Sequence, residues 1–159
     1  MLPAGYNSMY QIVQAPGYVM ILTEMIHDAR IIPLDGRPHL PPDVRQWMGD
    51  SRGHWEGDTL VIETTNFTNK TSFRGSSENL YLVEKFTRTD PETMLYQFTV
   101  DDPEAFTRGW SVELSLTKSS GPLFEYACNE GNYALTDILS GARADERKSA
   151  KEASRKVSQ

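Results

Sequence analysis

A chain of 159 residues, 38% hydrophobic and 24% charged, is long enough for one domain with a sizeable core and short for two. Its net charge of -6 argues against a nucleic-acid partner, because phosphate binding asks for a basic face. No run approaches the roughly 18 uncharged apolar residues of a membrane span, and the single cysteine, Cys128, allows neither an intrachain disulfide nor a cysteine-based zinc site.

The opening "MLPAGYNSMY" has no basic region followed by an apolar run, so it does not read as a signal peptide. "YQIVQ" (10–14) and "YVMILTEM" (18–25) flank an Ala-Pro-Gly turn signal, and "ARIIPL" (29–34) runs into the turn Asp35-Gly36-Arg37-Pro38. "PHLPPDVRQWMGD" is broken by prolines and reads as a loop with one helical turn near Pro42 to Trp47. "HWEGDTLVIET" reads as a hairpin turning at Glu56-Gly57-Asp58, with Leu60, Ile62 and Thr64 on one face of its second strand. "LYLVEKFTR" (80–88), "TMLYQFTVD" (93–101), "WSVELSLTK" (110–118) and "LFEYACN" (123–129) continue as a meander. Trp110, Val112, Leu114 and Leu116 alternate strictly with Ser111, Glu113, Ser115 and Thr117.

"NYALTDILSGA" then reads as a short helix ended by Gly141. Residues 143–159 hold six Lys or Arg against three acids and read as a solvated, flexible tail, leaving ten basic and nineteen acidic residues in 1–142. Eight or nine short, regularly spaced strands predict a mainly β domain over residues 1–142: a single antiparallel up-and-down β-barrel, lipocalin-like or similar, with a short C-terminal helix. Such a barrel can hold one small ligand.

"MGDSRGHWEGDTLVIETTNF", with "IHDARIIPLDGRPHLP" before it and "LVEKFTR" and "EYACNEGN" after it, resembles a family of bacterial proteins of unassigned function. The likeness covers most of residues 10–133 and departs at Gly109, where the family pattern has Pro. It implies one β-rich domain and an exported protein, periplasmic or secreted, and implies no reaction. In such a chain the glycosylation patterns at Asn66 and Asn69 carry little weight.

Chemistry-bearing residues are few. By alternation His27 falls on the face of Val19, Ile21, Thr23 and Met25, which suits a general base or acid facing a cavity. Arg30, and Arg37 with His39 leaving the Asp-Gly turn, are candidate anion or oxyanion stabilisers, since a guanidinium binds two oxygens at once. Glu84 lies on the apolar row of Leu80, Leu82 and Phe86, and Glu125 on that of Leu123 and Ala127. Each is either an interior carboxylate or an outward acid, and a pair of interior carboxylates would push one pKa up. Tyr10, Trp47, Trp55, Arg88, Trp110 and Tyr126 are candidate substrate contacts through stacking and hydrogen bonding.

No nucleotide-binding or hydrolase-elbow motif is present, so no organic cofactor is expected. A divalent metal held by His27, His39 and His54 is the alternative. These residues point to an enzyme of the lyase, isomerase or hydrolase class working by acid–base chemistry on a small organic molecule with a polar ring. The alternatives are a non-catalytic binding protein for a sugar-like or aromatic ligand, or a structural domain. A homodimer is a further expectation; nucleic acid and membrane are not.

Overall fold

Period-2 sequence becomes strand almost wherever it occurs. The computed structural model describes residues 9–70, 73–124 and 133–157. Eight strands precede one helix: β1 (Tyr10–Ala15), β2 (Tyr18–Thr23), β3 (Ala29–Pro33), β4 (Asp50–Glu56), β5 (Thr59–Thr65), β6 (Tyr81–Asp90), β7 (Thr93–Asp101), β8 (Trp110–Thr117) and α1 (Ala134–Val157). The strands form two antiparallel sheets, ordered β1-β2-β3 and β4-β5-β6-β7-β8. Up-and-down order is thus present, but hydrogen bonding does not run round the described strands as a closed barrel. Each sheet ends on its own edges, β1 and β3 in one and β4 and β8 in the other. The predicted strand over 123–129 falls mostly outside the described residues, as do Glu125, Tyr126 and Cys128.

The sheets bury their inner faces against each other. Val19, Ile21 and Ile32 of the first sheet join Leu60, Ile62, Leu82, Phe86, Tyr96, Phe98 and Val100 of the second in one core. Inner positions recur every second residue, as the pleat requires. The sheets come close where β3 meets β4, and Gly53 is the reason. A Cβ there would stand 2.7 Å from Leu34 Cδ2 and 2.9 Å from Ile32 Cγ2, so only glycine admits this approach. The β4–β5 hairpin turns through Gly57-Asp58, and Gly57 has the positive φ (59°) that a two-residue turn needs.

The outer faces differ. Cross-strand neighbours on the outside of the first sheet are Val13, Met20 and Ile31 in one row, Ala15, Tyr18 and Pro33 in the next, and Gln11, Leu22 and Ala29 in the third. None is charged. The outside of the second sheet mixes Arg52, His54, Glu63, Lys85 and Glu113 with Thr, Ser and Gln and with Val61, Val83 and Leu95.

Three loops are locked by side chains. Asn66, at φ 57°, donates its amide to the carbonyls of Leu40 (3.1 Å), Pro41 (2.8 Å) and Val44 (3.0 Å). That pins the proline-broken loop, which forms turns rather than the expected helical turn. It also engages the nitrogen that a glycan would need. Asp102, 1% exposed, takes Ser77 N–H (2.5 Å) and Ser77 Oγ (2.9 Å). Thr23 Oγ1 donates to Met25 O (3.0 Å) and Asp28 O (3.3 Å), closing the β2–β3 turn.

The chain divides into two units, at residues 126 and 127. In the second, α1 does not stop at Gly141 but runs on to Val157. Ala, Lys, Arg and Glu carry it through the segment expected to be a loose tail, because these are the best helix formers and outweigh one interior glycine. Asp137 in the first turn complements the helix dipole.

Candidate functional site

Two of the residues expected to carry chemistry meet in the core. Arg30 NH1 lies 2.5 Å from Glu84 Oε2, and the side chains are 6% and 1% exposed. Arg30 reaches in from β3 and Glu84 from the middle of β6, so the pair links the two sheets. The other carboxylate oxygen, Oε1, accepts from Tyr96 Oη at 2.8 Å. Burial, then the charge of Glu84, drives the Tyr96 phenol far up from its ordinary value. The Tyr10 phenol is pushed up to about 12 by the same two causes, burial first. Glu84 is therefore an interior ion-pair carboxylate, one of the two roles its position predicts.

His27 is elsewhere. Strand β2 ends at Thr23, and Ile26 and His27 take left-handed conformations (φ 67° and 58°) in the β2–β3 turn. The alternation that would point His27 inward stops four residues before it, and its side chain is exposed.

His39 joins a second array. Its Nδ1 sits 2.9 Å from Asp50 Oδ2, which also accepts Leu40 N–H at 3.0 Å; Asp50 Oδ1 accepts from Arg52 NH1 at 2.6 Å. Burial raises the Asp50 carboxyl, but the hydrogen bonds from Leu40, His39 and Arg52 outweigh it and hold the group below the usual carboxylate range. Arg52 Nε donates to Pro38 O (3.0 Å), tying the array to the loop.

Arg37 stays on the surface, paired with Asp35 and donating to Tyr18 Oη at 3.2 Å. His54 is exposed, 3.3 Å from Glu56. Among the described residues no three His, Cys, Asp or Glu side chains gather into a group that could hold a metal ion.

Two clefts stand out among the described residues of the first unit. One, of about 540 Å³, lies between β1, β8 and the β6–β7 turn. Met9, Tyr10, Ile12, Met94 and Leu116 line it together with Arg88, Glu92 and Lys118. The inward rows of the strands beside it, Tyr10 and Ile12 on β1 and Val112, Leu114 and Leu116 on β8, are only half-buried, whereas those of β2, β5 and β6 are buried; of the β8 row Leu116 reaches the cleft, between Ser115 and Thr117. Arg88 donates to Pro91 O through one nitrogen (3.1 Å), and Lys118 pairs with Glu92 (3.2 Å).

The other cleft, of about 510 Å³, lies between β3 and the loop before β4 and is lined by Arg30, Ile31, Arg45, Trp47, Asp50 and Ser51 among others. Trp47 is 62% exposed there. Of the remaining aromatic candidates, Trp55 is 46% exposed at the end of β4. Trp110 is engaged in packing against Phe73, Phe98 and Phe106, with ring centroids 5.7–6.1 Å apart.

Sequence reading overlooked Tyr96 and Asp50. A hydroxyl on the apolar row Met94–Val100 was a signal for the first. Asp50 carried no such signal: Arg52 is two residues away, but its other partners, His39 and Leu40, come from the preceding loop.

No family model, no curated protein and no solved structure matches the chain.

Proposed function

We propose that the protein binds small amphipathic carboxylates in the cleft between β1 and β8. The observation that carries this reading is the cleft itself: a space of about 540 Å³ in which Met9, Tyr10, Ile12, Met94 and Leu116 offer apolar surface, with Arg88 and Lys118 beside it. Clefts of this size and mixed lining suit small ligands. In this reading the two sheets act as one barrel left open along β1 and β8, and the ligand's apolar part completes the interior. Its carboxylate meets Arg88, whose five N–H donors exceed the one engaged by Pro91.

Binding is favoured over acid–base catalysis because Arg30 and Glu84 satisfy each other and His27 lines neither cleft. The likeness to exported bacterial proteins fits the same reading, a periplasmic or secreted carrier.

Titration of the 15N-labelled protein with decanoate tests it. Amide shifts should concentrate at Ile12, Met94 and Leu116, and Arg88→Met should weaken binding about tenfold, the worth of one charge-assisted contact. Shifts confined to the Trp47 cleft, or none up to about 5 mM ligand, a Kd range too weak for a carrier, would sink the reading.

A further inference from the structure

We infer that the cleft between β3 and the loop before β4 is a second binding site, for a zwitterion with an apolar side chain, of which an aromatic α-amino acid is the type. Pairing decides which of its charges remain for a ligand. Arg30 is held by Glu84 in the core, and Asp50 by His39 and Arg52. Two charged side chains of the lining are left, Asp28 and Arg45. Neither forms an ion pair among the described residues. Arg45 donates to neutral oxygens, Glu78 O and Asn79 Oδ1 (3.4 Å), which hold the guanidinium in place and leave its charge uncompensated. Asp28 engages its backbone carbonyl with Thr23, and no described residue donates to its carboxylate.

The two charges belong to opposite banks, Asp28 to the turn before β3 and Arg45 to the loop that leads to β4. A ligand that carries both signs answers both: its carboxylate meets Arg45 and its ammonium meets Asp28. A simple acid would bring its charge to Asp28, and a simple amine to Arg45, so the opposed charges select against each. The cleft beside β1 and β8 is different, because its lining acid, Glu92, is already paired with Lys118.

The apolar part has a seat on both banks as well. Ile31 is 65% and Trp47 62% exposed. The loop that carries Trp47 is pinned on either side of it. Gln46 N–H donates to Asn66 O (2.8 Å), and Gln46 O accepts from Thr68 N–H (3.1 Å). Gly49, at φ 70°, lies so close to β5 that a Cβ there would stand 2.6 Å from Thr65 O. The indole is thus presented from a fixed backbone, and a large rigid ring gives contact area at little cost in entropy. A space of about 510 Å³ is in the range that holds small ligands.

Titration of the 15N-labelled full chain with L-phenylalanine, 3-phenylpropionate and 2-phenylethylamine tests the inference. L-phenylalanine should move the Trp47 indole N–H and the Ile31 amide. The two analogues, each lacking one charge, should bind about tenfold more weakly, the worth of one charge-assisted contact. This comparison needs no variant. Asp28→Asn, an exposed change that keeps the backbone carbonyl closing the turn, should weaken L-phenylalanine about tenfold and leave 3-phenylpropionate no weaker. A Trp47 signal unmoved up to about 20 mM L-phenylalanine overturns the inference. So does an analogue that binds as tightly as the amino acid, or an Asp28→Asn protein that binds L-phenylalanine like wild type. Shifts at Ile12 and Leu116 in place of Trp47 would put the amino acid in the other cleft and overturn it too.

Discussion

Arg30–Glu84 and Arg37–Asp35 are the same chemical pair in two places. Both put a guanidinium on a carboxylate. The first joins strands of different sheets, 54 residues apart and almost wholly buried. The second spans one turn, two residues apart, with both side chains nearly half exposed. Their geometry is alike and their meaning is not. A pair that only folding can assemble reports on the fold, while a pair that the local chain assembles by itself does not. The His39–Asp50–Arg52 array stands between them, with a carboxylate 6% exposed and partners two and eleven residues away.

The largest effect follows from breaking the interior pair. Glu84→Leu leaves Arg30 charged and unpaired in the core and takes the acceptor from Tyr96. Removal of one partner of a buried pair costs about 3–5 kcal/mol, a large part of the total stability of an ordinary domain. The double change Arg30→Met/Glu84→Leu should recover most of that, because two apolar groups of similar volume leave no buried charge. Urea unfolding of the two variants measures it. If Glu84→Leu lies within about 1 kcal/mol of wild type, Arg30 has found water and the contrast between inside and outside collapses.

This interior pair shows what the sequence makes legible. Alternation in β5 to β8 located those strands within one or two residues, and it set Glu84 on an apolar row where a carboxylate needs a partner. It could not name Arg30, because nothing local records which strand will lie opposite after 54 residues. His27 failed for the reverse reason. Alternation was carried past Thr23 into a turn that no Gly, Pro or Asn announces, and whose closure rests on the Thr23 hydroxyl. The half-burial of the inward rows of β1 and β8 was equally hidden, since such a row reads the same in sequence whatever lies beside it. In α1 the glycine signal at 141 was real but small beside sixteen further residues of strong helix formers and charge.

The intermediate array gives the second effect. Asp50→Asn removes the charge that Leu40 N–H, His39 and Arg52 all address, a loss of about 2 kcal/mol for hydrogen bonds to a charged group. The sign with pH follows from the lowered carboxyl. The folded form releases its proton more readily than the unfolded one. Its stabilisation is then complete above the unfolded value of about 3.9 and disappears as pH falls through the lower folded value. Asp50→Asn should therefore weaken the protein at pH 7 and flatten its acid limb below about pH 4, read from urea midpoints at several pH values. An acid limb as steep as that of wild type would assign the effect to other carboxylates.

The smallest effect is the most instructive. Hydrogen bonds from Arg37, side chain first and backbone second, hold the Asp35 carboxyl at about 2. A shift of that kind stabilises a fold only to the extent that the unfolded chain lacks it. Arg37 is two residues from Asp35 in any state of the chain, and Gly36 between them favours the turn that brings them together. Asp35→Asn should accordingly leave the urea midpoint unresolvably changed. In the wild-type protein the Asp35 carboxyl carbon should titrate near 2, moving towards the ordinary value in about 1 M salt, where the screening length is roughly 3 Å. A peptide of residues 33–39 should show much of the same depression. If its Asp35 titrates at the ordinary value while that of the protein does not, the surface pair is as much a product of folding as Arg30–Glu84. Burial alone would then distinguish the two.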